Sequence, residues 1–186
     1  QTAKSPFSPY GTFGTTALLR RVQNSIGTQW FFYGSNGAGE LERTTSPYGA
    51  EMSWVHTDFS FANNQKKYRE ATTRCLKPTA YATQQCWSLT PEATDDTRQM
   101  HSKMTLSETG GNGVKVYEFE TDMSTAHAGL LKTYQEKTAA APVATLKQVQ
   151  YTWATSSVGQ PFIQQALTTL NLGTSSQAES KTWQNI

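Results

Sequence analysis

No run of apolar residues in this 186-residue chain approaches the roughly 20 needed to cross a bilayer as a helix. Charge is scarce as well. Lys and Arg number 16 against 14 Asp and Glu, and the basic residues are scattered rather than clustered. Sequence-independent binding of nucleic acid needs a positive stripe that displaces counterions, so no nucleic-acid partner is expected. Cysteine is limited to Cys75 and Cys86, without a companion histidine cluster, which does not spell a zinc site. No stretch shows a convincing 3.6-residue apolar period, so no helix is expected. Gln1 is followed by polar and turn residues instead of a charged and apolar leader, which leads us to expect a processed product or an internal segment of a longer protein.

What is present is polar without being charged. Mean hydropathy is -0.59 while only 16% of residues are charged, so the polarity lies with Thr, Ser, Gln and Asn, alongside 11% aromatics. That mixture suits a pleated, half-solvated sheet, whereas helix surfaces usually carry Glu and Lys. The stretch from Gln29 to Phe59 shows the pattern at its clearest. Trp30-Phe31-Phe32-Tyr33-Gly34, Gly39-Glu40-Leu41-Glu42-Arg43, Ser46-Pro47-Tyr48-Gly49 and Met52-Ser53-Trp54-Val55 alternate apolar runs with Gly and Pro punctuation. Ser-Pro-Tyr-Gly occurs at residues 8 and 46, a separation within the range of repeat architectures.

Read along the chain, strands are expected over 17–23, 30–33, 40–45, 51–61, 67–76, 81–89, 100–106, 114–121, 130–137, 143–154, 162–170 and 177–183. In the 51–61 strand Met52, Trp54 and His56 share one face, with Val55, Thr57, Phe59 and Phe61 on the other. Both faces carry bulk, so the strand is expected to be covered on both sides. Val149, Tyr151 and Trp153 fall opposite Gln148, Gln150 and Thr152, the sharpest alternation present. Cys75 and Cys86 flank the Lys77-Pro78 break and read as facing positions of a hairpin, either bonded to each other or as two buried thiols. The expected fold is all-β, with antiparallel hairpins in a twisted or spiralling sheet; a β-sandwich is the alternative. The final strand leaves an open edge for a partner or a continuing chain.

Chemistry is hard to find. His56, His101 and His127 are isolated in sequence and read as satisfied or surface histidines. Glu118 and Glu120 share a strand face, as paired acids would, but fit better as the exposed side of a strand. Asp95 and Asp96 lack the alternate spacing of a calcium loop, and residues 34–39 lack the Lys-Ser/Thr ending of a phosphate loop. We therefore assign no catalytic residue, no metal ligand and no cofactor. The remaining candidates are rings: Trp54, Tyr151 and Trp153 as stacking platforms for a glycan, set against the favoured reading of all such rings as a packing ladder.

Residues 32–41, Phe-Tyr-Gly-Ser-Asn-Gly-Ala-Gly-Glu-Leu, resemble the core of a Rhs/YD repeat, with Gly34 where the family places its naming Asp. Ser46-Pro47-Tyr48-Gly49 and the Met52-Ser53-Trp54 that follows are similar to the turn and next strand of that repeat. Tyr68-Arg69-Glu70, Gln150-Tyr151-Thr152-Trp153, residues 167–174 and Ser180-Lys181-Thr182 resemble an insert of some bacterial Rhs-repeat proteins. The resemblance implies residues 1–186 as one β-repeat segment of a longer protein, repeat-like over 1–62 and a β-rich insert over 63–186. It further implies export or display at the bacterial cell surface and a structural role as shell wall, often around a toxic segment, with no catalytic residue to carry over. Neighbouring repeats of the same protein, or self-assembly through open strand edges, would then be the partners. The alternative is a carbohydrate-binding or adhesive domain that meets cell-surface glycans.

Overall fold

The computed structural model describes residues 2–4, 12–15, 17–34, 39–92, 98–172 and 175–184. They form fourteen strands and no helix: β1 (Thr2–Lys4), β2 (Thr12–Thr15), β3 (Arg21–Asn24), β4 (Gly27–Tyr33), β5 (Leu41–Thr45), β6 (Glu51–Phe61), β7 (Lys66–Lys77), β8 (Gln85–Pro91), β9 (Lys103–Glu108), β10 (Gly113–Phe119), β11 (Leu131–Thr138), β12 (Thr145–Thr155), β13 (Pro161–Leu172) and β14 (Ser175–Thr182). The all-β, antiparallel expectation holds. Two compact units meet in sequence at Leu89 and Thr90. Residues 62 and 63, between which the resemblance sets the change from repeat to insert, lie in the turn between β6 and β7.

In the first unit β1 and β2 form a ribbon of their own, and β3 to β8 hydrogen-bond in chain order. The β6–β7 hairpin dominates, with paired residues from Glu51 opposite Lys77 to Phe61 opposite Lys66. It closes through Ala62, Asn63 and Asn64, all at positive φ (51°, 53° and 66°). Asn tolerates this left-handed region; Ala62 does so against its Cβ and is held by burial at 7% exposure. The turn between β5 and β6 follows its Pro-Tyr-Gly chemistry. Gly49 sits at φ 79° and donates its N–H to the Ser46 carbonyl at 3.1 Å. A register shift between Val55 and His56 bends the long hairpin at its middle.

The second unit contains β9 to β14, again in chain order. One row runs across all six strands: Met104, Tyr117, Tyr134, Val149, Thr168 and Glu179. Tyr151 and Trp153 project from the same face of β12 as Val149, as the alternation predicted. In the connection from β10 to β11, the Asp122 carboxylate accepts from the Ser124 N–H at 2.9 Å and hydroxyl at 2.6 Å, which lowers its pKa. Residues 139–142 connect β11 to β12 as bends and not as a helical turn.

Burial is thin throughout. Among the described residues only Gly34, Phe61, Ala62, Val116, Thr133 and Val149 are buried. The β-sandwich alternative therefore does not hold, since β3 to β8 and β9 to β14 run as open ladders where a sandwich would have two packed inner faces. The expectation that β6 is covered on both sides also fails: Val55 is 58% exposed, and Thr57 beside it is exposed as well.

Several boundaries differ from the sequence reading for local reasons. Residues 17–20 run beside β4 without a full ladder; Phe31 donates to the Arg20 carbonyl and the Tyr33 hydroxyl to that of Leu19. β8 begins at Gln85 and not at Tyr81, whose ring is fully exposed beyond the Pro78 break. It runs on through Thr90–Pro91, where a loop was expected, and the next residue, Glu92, donates to the Lys103 carbonyl at 2.9 Å. The Ser8–Gly11 turn, residues 35–38 of the glycine-rich turn, and Asp95 and Asp96 lie outside the described residues.

Cys75 and Cys86 are directly opposed on β7 and β8, and they are joined as a disulfide with Cα atoms 4.1 Å apart. Closing so short a loop restricts the unfolded chain, so reduction, or paired Cys75→Ser and Cys86→Ser replacement, is expected to lower stability by about 3 kcal/mol. Urea unfolding followed by circular dichroism, with and without reductant, measures the difference.

Candidate functional site

The three ring candidates divide between the two units. Trp54 lies on β6 opposite Arg74 of β7, and Arg74 in turn is opposite Trp87 of β8. Its guanidinium carbon stands 5.0 Å from the Trp87 ring centroid. Tyr151 and Trp153 come together on β12, with centroids 6.5 Å apart and a 35° tilt. Trp153 is fixed more firmly than stacking requires of a platform, because its indole N–H donates to the Leu131 carbonyl at 2.8 Å. All three rings are half-buried.

Other rings pack in the same way. Tyr117 and Tyr134 meet across β10 and β11 at 5.1 Å, and Phe61 and Tyr68 across β6 and β7 at 6.0 Å. Arginines lie over aromatic faces in the first unit: Arg43 at 4.0 Å from Phe32 and Arg21 at 5.7 Å from Trp30. Such contacts cover ring surface that no second layer covers. Tyr134 donates its hydroxyl to Glu136 at 2.7 Å, and burial, followed by that neighbouring carboxylate, raises its pKa. Nothing in the sequence marked Tyr134 and Glu136, although their spacing of two on one strand was the available signal.

The densest polar constellation joins Glu40, His56, Asp58, Lys67 and Arg69. Arg69 Nε donates to Glu40 at 2.6 Å and Nη1 to Asp58 at 2.5 Å, while Nη2 reaches the His56 carbonyl at 3.3 Å. Lys67 pairs with the second Asp58 oxygen at 2.8 Å. His56 Nδ1 is withdrawn from water without a hydrogen bond, 4.0 Å from Glu40. A histidine with two acids is a familiar catalytic inventory, but here both carboxylates are engaged by fixed cations. Their lone pairs tie the β6–β7 hairpin to the residue before β5. The hydrogen bond from Lys67, with Arg69 adding to it, lowers the Asp58 pKa, and Glu40 chiefly raises that of Arg69.

The remaining candidates do not converge. Glu118 is opposite Lys103 and Thr133, whereas Glu120, beyond a register shift, pairs with Lys132 at 3.5 Å. His127 meets the Thr155 hydroxyl at 3.0 Å. Among the described residues no three His, Cys, Asp or Glu side chains are arranged to hold a metal. Among those residues, too, no helix is long and apolar enough to cross a membrane. Compared with known proteins, the chain matches no family model and no curated protein.

Two outcomes test this arrangement. Because the folded Asp58 carboxyl ionises more readily than an ordinary Asp, its contribution is full at neutral pH and fades as pH falls below about 4. Asp58→Asn should therefore flatten the acid limb of the unfolding midpoint between about pH 5 and 2. Trp153→Phe keeps a ring but strands the Leu131 carbonyl, and thermal or urea unfolding should register a loss of about 1 kcal/mol.

Proposed function

We propose that this chain is a non-enzymatic, structural stretch of β-sheet wall belonging to an exported or cell-surface protein of the Rhs/YD-repeat type. The observation that carries this reading is the thin burial of a long sheet made from consecutive hairpins. Side chains on such a sheet pack sideways on their neighbours, as the Met104 to Glu179 row does, and leave both faces for other parts of a larger body. The Cys75–Cys86 disulfide agrees with an oxidising compartment. The Ser46–Gly49 turn followed by β6 supplies the local likeness to the repeat. On this reading the partners are neighbouring repeats of the same protein and strands that join its edges.

The second reading, a carbohydrate-binding or adhesive β-domain, draws on Tyr151 and Trp153 standing side by side on a sheet face, and on Trp54 beside Arg74. Glycan-array binding separates the two. The wall reading expects no glycan retained by the wild-type protein, and retention abolished by Trp54→Ala or Trp153→Ala, with the circular dichroism spectrum intact, would establish the other. Sequencing the reading frame on either side is the direct test of the family reading, which expects further Tyr-Gly and Pro-x-Gly repeats in frame.

A further inference from the structure

β14 ends the ladder of the second unit, and among the described residues no strand pairs with its outer side. All eight of its side chains are exposed. The Trp183 N–H donates to the Gln164 carbonyl at 2.9 Å, so odd-numbered residues of β14 turn their main-chain groups toward β13. Ser176, Ala178, Ser180 and Thr182 turn theirs outward.

We infer that this edge pairs with the β14 edge of a second copy of the chain, antiparallel, about a two-fold axis at Ser180. Main-chain bonds form only where outward-facing residues oppose one another, so the axis must fall on a residue and not between two; on Glu179 or Lys181 it would set like charges directly opposite each other. Centred on Ser180, the register sets Ala178 opposite Thr182 of the second copy and Glu179 opposite its Lys181, with the reciprocal pairs on the other side. Glu179 and Lys181 form the non-hydrogen-bonded pairs, where cross-strand side chains approach most closely. Moving the axis to Ala178 or Thr182 separates both charge pairs. The same register brings Trp183, 45% exposed, against Gln177 of the second copy.

Self-pairing fits this strand better than capture of an unrelated peptide. Peptides that add to a sheet edge are selected by pockets for alternate side chains, and this fully exposed polar strand offers none. A lysine often protects an edge by burying badly against a newcomer. Lys181 is already neutralised by Glu179 at 3.6 Å, and the pairing would join two such couples into an alternating set of four charges.

This extends the wall reading to a defined partner. Sedimentation velocity across a concentration series should show a monomer–dimer equilibrium for the disulfide-intact protein. Ser180→Pro removes the central outward N–H and leaves the main-chain bonds to β13 untouched, at the cost of the exposed Gln165–Ser180 side-chain bond alone; it should give monomers with an unchanged circular dichroism spectrum. Lys181→Glu should raise the dissociation constant about tenfold, and Glu179→Lys combined with Lys181→Glu should restore it. A wild-type protein that stays monomeric at every soluble concentration, or a charge swap that fails to restore pairing, overturns the inference. A monomer flanked in its reading frame by continuing repeats would overturn the edge pairing alone and leave the wall reading standing.

Discussion

Main-chain hydrogen bonds between neighbouring strands bear the weight that a buried core carries in most domains of this length. With six buried residues among those described, the apolar contribution is collected in small increments from half-covered rings and aliphatic stems. Everything else follows from that constraint. Side chains find their partners across a strand gap of about 5 Å instead of across an interior. The stabilising contacts are accordingly ring on ring, guanidinium on ring, and carboxylate on cation.

The Glu40, Asp58, Lys67 and Arg69 network shows how polar groups serve this design. In a closed core such a set would be costly to desolvate, but on a sheet face it stays partly wet and its hydrogen bonds are satisfied. It ties the approach to β5 onto the β6–β7 hairpin near the place where the register slips. Arg74 against Trp87 and Arg43 against Phe32 act in the same sense. Each long cation shields an aromatic plane while its charge stays in solvent.

Much of the fold could be read from the residues because period-two alternation is a local property. Tyr117, Tyr134, Val149, Tyr151 and Trp153 sit on the faces their positions dictate, and the facing cysteines followed from the Pro78 break between them. What could not be read depends on neighbours. Tyr81 carries every mark of a strand residue, yet Pro78 and the following turn leave it in solvent. The bulk on both faces of β6 suggested two covering layers, and the sequence could not show that its bulky residues pack along the strands instead. The charge network was equally hidden, since Glu40 and Arg69 are brought together by a register that no spacing announces.

From β3 to β8 in the first unit and from β9 to β14 in the second, consecutive strands are bonded to one another in chain order. Contacts of that kind span short stretches of chain, so ordering does not wait for remote parts to meet. Such a polypeptide can consolidate one pleat at a time, each finished pleat serving as the template for the next.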